Sequence, residues 1–194
     1  MKQIIRNLKS ALVFGLLAVV FAGFGPAELN AAGPRKHWES KVKAELPKYG
    51  HRNWIVIADS AYPKQSAEGI ETMYTRAGQL EVLEGVLKQL EDAPHVVPVV
   101  LLDAELASVP DKHAPGIEAY RQKLKQKLKG RQVQVMPHEE IIGELDKASK
   151  LFNVLILKTD MVLPYTSVFL RLECGYWDAD KEKALREALK ARKK

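Results

Sequence analysis

The residues able to do chemistry sit at the borders of apolar runs. His51 and Asp59 bracket the run in YGHRNWIVIADSAYP, Tyr49 to Pro63. Asp103 closes HVVPVVLLD, His138 follows RQVQVMP, and the loop Thr159–Tyr165 follows NVLILK. A histidine with an ordinary pKa near 6.5 gives or takes a proton around neutrality. Aspartate and tyrosine add hydrogen-bond acceptors and donors. This is the equipment of general acid–base catalysis on a neutral polar substrate. Other chemistries lack their residues: there is no HExxH, GxSxG, P-loop or GxGxxG. The histidines have no metal-ligand spacing, and the single Cys174 admits no CxxC. The sequence therefore supports neither a metal nor a cofactor.

The elements that must position these groups alternate. Trp54–Asp59 and His95–Asp103 are continuous apolar runs of strand length, as expected for strands buried on both faces. Pro98 within the second implies an edge or a bulge. Arg131–Pro137 alternates polar and apolar residues, and the NVLILKT and SVFLRLECGYW stretches complete the strands. Between them lie helical patterns: a lead-in helix stopped near Pro47, and Gln79–Asp92 with Leu80, Leu83, Val86, Leu87 and Leu90 on one stripe. Others follow at Ile117–Lys129, at HEEIIGELDKASKLF, and in a charged closing helix. Alternating strands and helices predict an α/β protein, a three-layer α/β/α arrangement around a central sheet. Ligand sites in such sheets lie in the loops just beyond strand ends. Cys174, Trp54 and Trp177 are expected in the core.

The first 32 residues stand apart. MKQIIRNLKS is basic, Ala11–Gly25 carries no charge, and PAELNAAG supplies small residues. That order predicts a signal peptide over residues 1–32, cleavage after Ala31 or Ala32, and a single domain over 33–194 exported to the periplasm or medium. The apolar run is short for a spanning helix, so no membrane insertion is expected after cleavage. Loss of residues 1–31 removes three basic residues and one acidic one, lowering the net charge from +6 to +4. One cysteine cannot form an internal disulfide. Much of the remaining charge lies in RQKLKQKLKGR and KALREALKARKK. Neither interleaves aromatics with its charges, so both read as solvated helix faces and no nucleic-acid partner is expected.

The GHRNWIVIADSAYP stretch resembles the opening "GH…(V/I)…DA..P" of the ribose pyranase and fucose mutarotase family, RbsD/FucU. The segment LKTDMVLPYTSVFLRLECG looks like that family's closing segment, and LEVLEGVLKQLEDAPHVVPVVLLDAEL resembles its helix and strand. The resemblance implies an RbsD-like mixed sheet and a mutarotase or pyranase acting on free monosaccharides without cofactor or metal. It implies a homo-oligomeric ring with sites between subunits. By matching position it makes His51 the acid–base histidine, Tyr165 a catalytic hydrogen-bond partner and Asp59 a sugar-binding carboxylate. Ser167 stands where the family has Asn, and His138 stands where a strand gives way to a helix, the place of its substrate-binding His or Arg. Asp160 and Met161 replace the family's Gly and Glu. These departures motivate an alternative, a non-catalytic exported binding protein on the same scaffold. A cleft filled by Met161 or Arg171 would favour that alternative.

Extended chain advances about 3.3 Å per residue, which sets His51 and Asp59 roughly 25 Å apart. One strand cannot bring both to one small sugar. Two copies of the chain could, each lending one end, in line with the implied intersubunit site. A sharp bend in the lead-in loop is the other solution. Trp54, Tyr62, Tyr74 and Trp177 are candidate interface aromatics.

Overall fold

The structure is a computed structural model, described here over residues 37–192. The expected signal segment, 1–32, lies outside the described residues. Helix α1 (His37–Glu45) ends in a 3-10 turn at Leu46–Lys48, where Pro47 stops it. The strands are β1 (Trp54–Ala58), β2 (Ile70–Tyr74), β3 (Val96–Asp103), β4 (Val133–Met136), β5 (Val154–Lys158) and β6 (Val168–Cys174). The remaining helices are α2 (Gln79–Glu91), α3 (Ile117–Lys127), α4 (His138–Ala148) and α5 (Ala179–Ala191).

The strands form one mixed sheet in the order β2-β5-β1-β6-β3-β4. β1 is parallel to β5 and β3 to β4, while β6 runs antiparallel to both β1 and β3. All five residues of β1 are buried, as its unbroken apolar run requires of a strand flanked on both sides and covered on both faces. On one face Ile55, Ile57, Leu155, Leu157 and Leu170 pack against α1, α2 and α3. On the other Trp54, Val56, Leu101, Ile156 and Phe169 pack against Ile141 and Leu145 of α4. The result is the expected three-layer α/β/α arrangement. α1 and α2 meet where Trp38 crosses Gly85; a Cβ there would lie 2.5 Å from the Trp38 ring, so only glycine admits the contact.

Several local expectations shift. β2 was not expected. It is an edge strand whose sequence, IETMY, is only partly buried, so it lacks the apolar run that marks the interior strands. Pro98 does lie on an edge, though a local one: β3 is interior, but β4 begins only opposite Val100, leaving Pro98 without a strand on that side. The α2 stripe includes Gln79 and Val82, and Leu80 sits at its margin. Trp177 is 42% exposed rather than core, and Cys174 is half-buried at the end of β6. Trp54 and Tyr62 are buried within the domain and cannot serve as interface aromatics, whereas Tyr74 and Trp177 are exposed.

Candidate active site at the C-terminal edge of the sheet

Because β1, β3, β4 and β5 are parallel and β6 begins where they end, one edge of the sheet collects Asp59, Asp103, His138, Thr159 and Ser167. The β5–β6 loop adds Tyr165. A cleft of about 410 Å³ opens there, lined by Asp59, Asp103, His138 and Tyr165 together with Tyr62, Gln65, Glu139, Ile142 and Pro164 among others. Met161 and Arg171 do not line it. Met161 packs against the core, and Arg171 pairs with Glu144 and Glu173, each at 3.0 Å.

Asp103 is the buried charge of the site, 2% exposed. Its Oδ2 lies 3.1 Å from His138 Nδ1. The contact is within ion-pair range but off the hydrogen-bond line, so the Asp103 oxygens and His138 Nδ1 lack a well-aligned hydrogen-bond partner. Burial pushes the Asp103 carboxyl above its ordinary value. The His138 ring opposes that shift, and the carboxylates of Glu105 and Asp59 add to it. His138 opens α4, and its N–H donates to Glu105 Oε2 (3.0 Å) and Oε1 (3.2 Å). Glu105 thus caps the helix, where a carboxylate complements the positive end of the dipole.

Tyr165 meets His138 edge-on, ring centroids 5.7 Å apart. Its φ of 55° lies in the left-handed region, unfavourable for a bulky residue. The next residue holds it there. Thr166 C=O accepts from the buried Tyr120 hydroxyl at 2.9 Å and, in a very short contact, from Gln79 Nε2. Thr166 Oγ1 donates to Leu163 O at 2.8 Å. Asp59 and Ser167 bond each other: Asp59 N–H donates to Ser167 Oγ (3.1 Å), and that hydroxyl donates to Asp59 Oδ2 (2.8 Å). Ala61 N–H takes Asp59 Oδ1 at 2.8 Å. Each carboxylate oxygen keeps a lone pair for a ligand.

His51 is not in this cleft. It is exposed, in the tight turn before β1. Gly50 N–H donates to Asn53 Oδ1 (2.8 Å), and Asn53 N–H to Gly50 O (3.2 Å). The turn does not fold His51 back toward Asp59. Arg52 N–H bonds Leu172 near the end of β6, while Asp59 bonds Ser167 just before its start. The bend alternative is therefore absent, and within one chain the bracket stays open. A larger groove, about 780 Å³, opens between α1 and α2. Its histidine, His95, has Nε2 against the carbonyls of Tyr49 (3.0 Å) and Leu46 (3.2 Å), so the acid–base groups do not gather there.

Sequence reasoning expected His51, Asp59, His138, Tyr165 and Ser167 at one site; the cleft brings together Asp59, His138 and Tyr165, whereas Ser167 is buried against Asp59 without lining it and His51 lies elsewhere. That reasoning noted Asp103 only as a strand-end polar residue and missed Tyr62 and Gln65. An aromatic directly before Pro63 in an otherwise polar loop was the available signal for Tyr62; Gln65 had none.

The sequence matches the profile of the RbsD / FucU transport protein family over residues 35–174. No curated protein matches it. Among solved structures it is similar to Bacillus subtilis RbsD complexed with D-ribose, at 20% identity and TM-score 0.49, covering 69% of this chain and 92% of that one. It is similar also to the fucose mutarotase of Streptococcus pneumoniae in complex with L-fucose, at 18% identity and TM-score 0.46, covering 67% and 89%. FucU from Bifidobacterium longum matches at 16% identity and TM-score 0.47, covering 69% and 92%. With the family profile spanning most of its length, the chain belongs to the RbsD / FucU family.

Proposed function

We propose that this protein binds a free monosaccharide at the C-terminal edge of its sheet and interconverts its ring forms or anomers by acid–base ring opening. The observation that carries the reading is the gathering of Asp59, Asp103, His138 and Tyr165 around one cleft at the end of the parallel strands. His138, Tyr165 and Asp59 are at least partly exposed there, and each Asp59 oxygen keeps a lone pair, so a ligand rich in hydroxyls is the natural complement. Ring opening removes a proton from the anomeric hydroxyl and delivers one to the ring oxygen as the hemiacetal C–O bond breaks; closure reverses both transfers. His138, with Asp103 against its Nδ1, handles one transfer, and Tyr165 hydrogen-bonds the reacting oxygens. The other falls to His51 of a second copy, since this chain's own His51 is at the far edge of the sheet. Asp59 holds sugar hydroxyls, and the buried Ser167 orients its carboxylate. Function then requires a homo-oligomeric ring with shared sites.

Saturation-transfer NMR on ribose, fucose and other common sugars tests the activity. Faster exchange on at least one sugar is expected, with a loss of about 10²–10⁴-fold in His51→Ala. No acceleration on any sugar, or an undiminished rate in the variant, overturns the reading. Binding without turnover is the second reading, favoured by the engagement of Asp59 within its own chain; calorimetry showing tight sugar binding with no exchange selects it. Export belongs to the same proposal. Mass spectrometry of the protein from its producing cell should find a mature terminus near Gly33, and an intact Met1 in the membrane fraction would contradict export.

A further inference from the structure

The basic stretch of α3 and the turn after it carries two kinds of cation. Some are matched within the chain. Arg121 pairs with Glu118 in a very short contact and donates to the carbonyls of Leu106 (2.9 Å) and Val109 (3.0 Å). Lys127 reaches Glu84 at 2.6 Å, and Arg131 reaches Glu91 at 2.5 Å. Lys125, in the last turn of α3, and Lys129, just beyond it, are exposed, and neither ammonium is paired with a carboxylate among the described residues. Both line a groove of about 410 Å³, bounded by α3, the 3-10 turn Ala104–Ser108 and β4.

The groove is apolar beneath those two lysines. Leu102, Leu106, Leu124 and Leu128 line it together with Val133 and Val135. Val133 pairs with Val100 and Val135 with Leu102, so the two valines share the sheet face that α3 covers. β4 is the last strand of the sheet, and α3 does not close over it: Val133 is 38% exposed and Val135 62%. The acid in the lining, Asp103, is buried with its carboxylate against His138 and does not neutralise the lysines. An apolar hollow of this size with a few charged groups at its rim is the make-up of a small-molecule site. We propose that it binds a free alkyl carboxylate, an acid with a medium-length apolar tail. The tail covers the leucines and valines, and the carboxylate meets Lys125 and Lys129. A neutral ligand leaves both ammoniums unused, and a cationic one is repelled. The exposed α5 stripe of a second copy, Leu185 and Leu189, suits the groove less well, because residues 183–194 carry six basic residues against one acidic and would meet the lysines with like charge.

Calorimetry with octanoate, decanoate and octanol, each below its micellar concentration, tests the proposal on the unmodified chain. Decanoate should bind about tenfold more tightly than octanoate, from two more buried methylenes. Octanoate should bind about three- to tenfold more tightly than octanol, from the two lysines. In the double variant Lys125→Gln/Lys129→Gln, octanoate should fall to the level of octanol while octanol is unchanged. In Val135→Asp, all three ligands should weaken by about tenfold or more. All three side chains are exposed, so both variants should fold; if Val135→Asp does not, the lysine pair decides. No binding of either acid, equal affinity for octanoate and octanol, or a charge advantage that survives in the double variant overturns the proposal. So does sedimentation in which Val135→Asp lowers the mass of the assembly, since the groove is then a contact between copies. Neither measurement involves sugar, and a null result with the acids leaves the cleft reading untouched.

Discussion

Replacing Asp103 with Asn should make the protein more stable and less active. The carboxylate is 2% exposed, both oxygens lack hydrogen bonds, and its nearest counter-charge, His138, is misaligned at 3.1 Å. Burying a polar group without its hydrogen bonds costs about 1–3 kcal/mol, and more when it is charged. Asn keeps the shape and removes the charge, so a gain of about 1–3 kcal/mol at pH 7 is expected. For a domain of this size that raises Tm by about 2–4 °C per kcal/mol. The pH dependence fixes the cause. Burial raises the native pKa above the ordinary 3.8, so the folded protein holds this proton more tightly than the unfolded chain. The resulting stabilisation is complete below the unfolded value and is lost as pH rises through the native pKa. The advantage of Asn should therefore be present at neutral pH and fade on acidification below the native pKa. Denaturation across a pH series, with sugar exchange followed by NMR, measures both sides. Exchange should drop by about 10²–10⁴-fold. A variant that is less stable at pH 7, or one that keeps the full exchange rate, would refute the argument that this carboxylate is held in an unfavourable state for use.

Mixing His51→Ala chains with Asp103→Asn chains should restore part of the exchange rate, because some interfaces would pair an intact His51 with an intact cleft; a monomer fully active at low concentration would contradict shared sites. Tyr120→Phe removes the 2.9 Å bond to Thr166 O and should cost about 1 kcal/mol of stability. It should also raise KM, because the left-handed turn at Tyr165 loses one of its holds; an unchanged KM would make Tyr120 purely structural. Helix α5 buries no residue and lies beyond the family match, so ending the chain at Asp178 should change unfolding free energy by no more than about 0.5 kcal/mol, as read from urea denaturation.

The interior strands were legible because burial on both faces leaves an unbroken apolar run, as in Trp54–Ala58 and Val154–Lys158. The helices were legible through their stripes. The distance between His51 and Asp59 needed only the rise of an extended chain. β2 was not legible, because an edge strand with one neighbour needs no apolar run, and IETMY has none. The exposure of Trp177 was hidden for the complementary reason: side-chain type does not say where the sheet ends. The site divided the same way. Asp59 and Tyr165 were singled out through the family resemblance, while chain position marked His138 only as one of the polar residues that parallel strands bring to one edge. Asp103 read as an ordinary strand-end aspartate. Only the packing of α4 across β3 sets it, buried, against His138. Local sequence determines which elements form and which way they run. Desolvation and an unmet hydrogen bond depend on what every other element covers, and that is decided only when the three layers close.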